Sequence, residues 1–161
     1  MPATLSEGPL GISCVFSDGR RAEHVVDGLG GAALARDLLV GLAELVHPHG
    51  TVDAASTVDQ YVGSARHMAS SLAGRGFTGG AGELTAGRLT EYWMGATVAR
   101  EACTRRMLQG FDTATGALAE RVRELAGGRA FNPQAFRRVL PPYSETEWAR
   151  LTEVCSAMIE E

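Results

Sequence analysis

Five glycines between Gly74 and Gly82 (Gly74, Gly76, Gly79, Gly80 and Gly82) constrain this chain more than any other feature, because no helix runs through such a stretch. The segments on either side read as amphipathic helices. Upstream, Val58, Tyr61, Val62, Ala65, Met68, Ala69 and Leu72 fall on one stripe, with Asp59, Ser64, Arg66 and Ser71 outward. Ser56, followed three residues later by Asp59, is the expected start of that helix, and Thr85 the start of the next. Downstream, Leu89, Trp93 and Tyr92 form the apolar side of a helix over 86–94. Aromatic side chains at this spacing are read as core anchors rather than as stacking platforms for bases.

A third helix is expected from Thr97 to about Phe111, with Val98, Cys103, Met107, Leu108 and Phe111 apolar and Arg100, Glu101, Arg105 and Arg106 on its other faces. A fourth, over 117–126, turns Leu118, Val122 and Leu125 inward and Arg121 and Arg123 outward, and closes at Gly127-Gly128. Asn132-Pro133 is read as opening a short helical turn, and Pro141-Pro142 as enforcing an extended connector. Ser144 with Glu147 forms a capping box ahead of a last amphipathic helix bearing Trp148, Leu151, Val154, Cys155 and Met158.

Before the glycine-divided unit, the chain begins with an expected unstructured leader. Two β-rich runs, 10–16 and 21–26, then flank Asp18-Gly19, a strong signal for a tight hairpin turn. A leucine-rich helix over 32–46 is the support such a hairpin needs. It ends at His47-Pro48-His49-Gly50. With no further ligands nearby, the two histidines read as helix-terminal residues rather than as a metal site. The stretch 47–55 reads as a linker. The expected fold is mainly α, a small helical bundle preceded by a β-hairpin and a helix. The expected boundaries are 1–53 for the hairpin and helix unit, 54–140 for the bundle, and 141–161 for a linker and the first helix of a further domain.

The chemistry is narrowed mostly by what is missing. No GxSxG, GxxxxGK[ST] or strand-to-helix GxGxxG motif occurs, and the carboxylates are scattered singly. Cys14, Cys103 and Cys155 are far apart and odd in number, as suits buried thiols in a reducing compartment, so a cytoplasmic protein is expected. No run is long and apolar enough to span a membrane, and no cofactor or metal is expected. All fifteen basic residues are arginines, and the net charge is −4. That charge is unevenly spread: 1–53 holds three arginines against seven acids, 54–138 eleven against seven, and 139–161 one against five. Local charge governs contact with phosphate more than net charge does. Arg66, Arg100, Arg105, Arg106, Arg137 and Arg138 are the candidate phosphate contacts. Ion pairing of exposed arginines with Glu101, Glu120 and Glu124 is the plainer account of the same residues.

The order of these pieces resembles the N-terminal region of tyrosine recombinases, the phage-type integrases, of the actinobacterial kind. STVDQYVGSARHMASSLAGRGF is similar to the first helix of that family's core-binding domain, ELTAGRLTEYW to its second, and LPPYSETEWARL to the connector and opening helix of its catalytic domain. The resemblance implies a SAM-like helical bundle that closes over double-stranded DNA, with other recombinase subunits as further partners. It implies no catalysis by this chain. The only tyrosines are Tyr61, Tyr92 and Tyr143, there is no lysine, and no HxxR triplet occurs, so a truncated, non-enzymatic DNA-binding part is expected. The competing expectation, favoured by the net charge, is a helical protein-interaction module with no nucleic-acid role.

Overall fold

The computed structural model describes residues 2–26, 30–133 and 144–159. Three antiparallel strands open the chain, β1 (Ala3–Glu7), β2 (Leu10–Val15) and β3 (Arg21–Val25), in the order β1-β2-β3. Ile12 lies opposite Leu5 and His24, and Cys14 opposite Ala3 and Ala22, so strand alternation gathers these residues on one face. That face packs into the core. The turn between β2 and β3 forms where Asp18-Gly19 predicts it. Gly19 has φ 82° and donates to the Phe16 carbonyl at 2.9 Å, while Asp18 Oδ1 accepts from the Arg20 amide at 3.0 Å.

The expected unstructured leader is instead β1. Its small, mixed side chains give a weak alternation, and pairing with β2 supplies the order that its composition does not.

The next helix, α1 (Ala32–Leu45), buries Leu34, Leu38, Leu39 and Leu42 completely. α2 (Ala55–Gly74), α3 (Ala86–Met94), α4 (Val98–Thr115), α5 (Glu120–Gly127) and α6 (Glu145–Ile159) follow, so the fold is mainly helical with a small sheet ahead of the helices. The predicted α2 stripe is buried residue for residue, from Val58 to Leu72. Two expectations for α2 fail: its start is Ala54, with no side-chain cap, rather than Ser56, and Ser64 is buried rather than outward. The Ser64 hydroxyl is accommodated there by donating to the Gln60 carbonyl at 2.8 Å. Thr85 caps α3 and Thr97 caps α4, each accepting a backbone N–H three residues on. Ser144 and Glu147 form the expected reciprocal box at α6. The side chains of Leu151, Val154, Cys155 and Met158 lie outside the described residues.

A single hydrophobic cluster runs through the sheet, α1 and the helices after the glycines, including Ile12, Leu38, Met68, Trp93, Met107 and Val122. The tightest joint is between α1 and α4. A side chain at Gly41 would fall within 2.7 Å of the Met107 carbonyl carbon and 2.9 Å of the Phe111 nitrogen, and Gly110 faces the Gly41 backbone in return. The two helices therefore touch backbone to backbone, and the segment before residue 53 shares its core with the segment after it.

The expected linker 47–55 is a closed turn rather than a spacer. Val46 and Val52 are bridged and buried, the His47 amide donates to the Val52 carbonyl at 2.9 Å, and the Asp53 carboxylate accepts from the Ser17 amide at 2.8 Å. The glycine connection is anchored as well. Asp37 Oδ2 on α1 accepts the Ala81 amide at 2.7 Å at the start of a 3-10 turn (Ala81–Glu83), and Phe77, Ala81 and Leu84 are buried.

Candidate nucleic-acid interface

α2 and α4 meet along a polar seam with a regular register. Tyr61 faces Arg106, whose Nη1 donates to the Tyr61 hydroxyl at 3.2 Å. One turn along α2, Ser64 reaches Cys103. A further turn along, His67 lies in the field of Arg100. Steps of three residues forward on α2 match steps of three backward on α4, so the helices run antiparallel. Arg100 and Arg106 each lie three residues from Cys103, about 60° to either side of it on α4 and about 9 Å apart along the helix axis. The six-residue separation that argues against one narrow face thus allows a shared, broader one.

Neither Arg100 nor Arg106 is ion-paired among the described residues. Arg106 is exposed and Arg100 partly so. Arg106, with Gln109, also stands on the ridge between two shallow clefts. One is lined by Val98, Glu101, Ala102, Arg105 and residues 126–128, the other by Glu44, His49 and Thr51. Tyr92, from α3, closes the other end of the seam. Its hydroxyl lies 3.0 Å from His67 Nδ1, with the two rings 5.9 Å apart. Burial pushes the Tyr92 phenol up to about 12, against a small opposing pull from Arg100, so it stays protonated. His67 is held below the ordinary histidine range, first by partial burial and then by the Arg100 charge. The Cys103 thiol is raised by burial, with Ser64 and Arg106 pulling the other way, and is not a ready thiolate.

Arg105 does not belong to this surface. It is 7 % exposed, and its Nε donates to Glu101 Oε1 at 2.8 Å. Its other nitrogens donate to the carbonyls of Leu125, of Ala126 at 3.2 Å and of Arg129 at 3.1 Å. The guanidinium lies over the Trp93 ring, 4.1 Å from the centroid. Glu101, expected on an outer face, is 1 % exposed. It accepts from the amides of Phe131 and Asn132 at 2.8 Å each and from Asn132 Nδ2 at 2.9 Å. The pair is a buried clasp that binds the segment after α5 onto α4, and each nitrogen of the Arg105 fork donates to a protein oxygen.

Arg66 is exposed, but a guanidinium nitrogen donates to the Val25 carbonyl of β3, on the sheet side of α2 and away from the seam. Arg137 and Arg138 lie outside the described residues. The structure therefore leaves Arg100 and Arg106 on the seam, buries Arg105 beside Arg106 in its pair with Glu101, and turns Arg66 toward the sheet. No protein-family model, curated protein or solved structure matches this chain.

His67 and the two phenols are the seam residues that sequence reading assigned no binding role. A signal for them exists in the sequence. Tyr61, Ser64 and His67 repeat every three residues along one edge of the apolar stripe of α2, a polar line beside a buried face. Among the described residues, no cluster of three or more histidine, cysteine or acidic side chains could hold a metal ion, and no helix is long and apolar enough to cross a membrane.

Proposed function

We propose that this chain is a non-catalytic DNA-binding module, corresponding to the N-terminal part of an integrase-like recombinase, that grips duplex DNA through arginine contacts to the phosphate backbone. The observation that carries this reading is the α2/α4 seam, where Arg100 and Arg106 have no acidic partner among the described residues and flank a line of hydroxyl and imidazole groups. Guanidinium groups in this state retain free N–H donors, and an incoming phosphate displaces no carboxylate from them. Arg137 and Arg138 extend the same reading on charge alone. Arg66, turned toward β3, is a separate and weaker contact. The contacts are to backbone, so they position the duplex without reading its bases.

Fluorescence anisotropy of a labelled duplex against salt concentration tests the proposal. The wild-type chain is expected to bind at low salt and to lose affinity steeply as salt rises. Replacing Arg100 and Arg106 together by glutamine is expected to lower the slope of log K against log[salt] by about 1.8, at about 0.9 for each lost phosphate contact. Absence of duplex binding at low salt, or an unchanged slope in the double variant, overturns the assignment and favours a helical protein-interaction module instead.

A further inference from the structure

We propose that His67 is a third phosphate contact of the α2/α4 seam, with its ring oriented by Tyr92, and that it makes duplex binding proton-linked. This rests on the reading of the seam as a phosphate-binding surface and adds a regulatory property to it.

The geometry leaves His67 few roles. Its ring is exposed at the rung that faces Arg100, and Nδ1 is engaged by the Tyr92 hydroxyl at 3.0 Å. The direction of this bond follows the tautomer: with the Tyr92 O–H donating to Nδ1, the proton of the neutral imidazole sits on Nε2. Nε2–H is a donor on the surface that carries Arg100. The charged and titratable groups that face His67 are Tyr92 from α3 and Arg100 from α4. The neighbouring Glu91 of α3 is held by Arg75 at 2.9 Å. On α2 itself, Arg66 turns to the Val25 carbonyl and Asp59 lies 3.4 Å from His24. Among the described residues, no carboxylate is ion-paired with the His67 imidazole.

The sign of the linkage follows. In the free protein, partial burial and the Arg100 charge disfavour the imidazolium. A bound phosphate offsets that charge and adds an acceptor, so the complex holds the His67 proton more tightly than the free protein does. Affinity then rises as pH falls. The gain begins near the pKa of the complex and levels off below the lowered pKa of the free protein. On protonation Nδ1 becomes a donor, and the Tyr92 hydroxyl rotates to accept from it. Tyr92 is a positioning residue. It engages Nδ1 and so orients the ring, and has no contact with phosphate of its own.

The experiment measures binding of the full chain to a labelled duplex of random sequence at fixed salt. Over about pH 7.5 to 5.5, wild-type affinity is expected to rise roughly three- to tenfold, inside the limit of about tenfold per pH unit that one linked proton sets. His67→Gln is expected to abolish that gain, which also separates His67 from His49, whose cleft borders Arg106. Tyr92→Phe is expected to retain the gain, because Tyr92 has no contact with phosphate of its own. NMR of the His67 ring without DNA should show Nδ1 losing its hydroxyl partner in Tyr92→Phe, a readout that does not depend on binding. If His67→Gln keeps the wild-type pH dependence while duplex binding stays salt-sensitive, the His67 proposal falls and the arginine seam stands. If the wild-type chain shows no salt-sensitive binding at either pH, both fall.

Discussion

Replacing Arg105 by methionine tests whether the Arg105–Glu101 clasp is a desolvated ion pair. The substitution leaves the Glu101 carboxylate, 1 % exposed, with three N–H donors from residues 131 and 132 and no countercharge. Breaking a buried pair from one side costs about 3–5 kcal/mol. At a urea slope of about 2 kcal/mol per M, this moves the denaturation midpoint down by roughly 1.5–2.5 M. A second variant, Glu101→Leu with Arg105→Met, removes both charges and should recover part of the loss. Recovery stays incomplete because the Phe131 and Asn132 amides lose their acceptor, at about 1 kcal/mol or more each.

The clasp also predicts a pH profile. Burial alone would raise the Glu101 carboxyl, but the Phe131 and Asn132 amides, Arg105 and the Asn132 side chain together hold it below its ordinary value. A carboxyl depressed by folding stabilises the protein above its unfolded pKa, and that stabilisation is lost as pH falls through the folded pKa. The acid limb of the stability curve should therefore flatten in the double variant. A single Arg105→Met loss below about 1 kcal/mol, the range of exposed pairs, would refute the claim that the clasp is desolvated.

Gly41→Ala drives a methyl group into the Met107 backbone, where neither helix can yield without opening the joint, so the loss should reach or exceed the top of the usual range of about 1–3 kcal/mol for overpacking. Urea denaturation checks it, and Gly63→Ala, whose added Cβ meets nothing within 4 Å, is the control. Thr85→Ala should cost about 1 kcal/mol by removing the α3 cap, whereas Ser56→Ala, inside α2 and not its cap, should be close to neutral.

The parts of the fold legible in the sequence were those set by local rules. The α2 stripe follows from helical period alone, the Thr85 and Thr97 caps from side-chain chemistry, and the turn at Gly19 from the φ that Asp18-Gly19 tolerates. Features that depend on distant partners were not legible. β1 takes its order from β2. Glu101 and Arg105 look like an ordinary i, i+4 surface pair until Phe131, Asn132 and the end of α5 close over them. The same holds for the candidate interface. Composition predicted a basic middle, but six arginines chosen by charge divide among a buried clasp, a sheet-facing contact, two residues outside the described structure, and the pair on the seam. The seam itself depends on the register between α2 and α4.

The glycine joint between α1 and α4 also bears on how the chain is made. Its halves are separated by about 70 residues, a loop whose closure entropy is met only when the joint forms. At synthesis rates of about 5–20 residues per second, the leucine face of α1 waits several seconds on the ribosome before α4 exists to cover it. During that interval the leucine face of α1 has the sheet, α2 and the 3-10 turn at Ala81–Glu83 as its described neighbours. That interval ends only when α4, which also carries the Arg100 and Arg106 side of the seam, has been added.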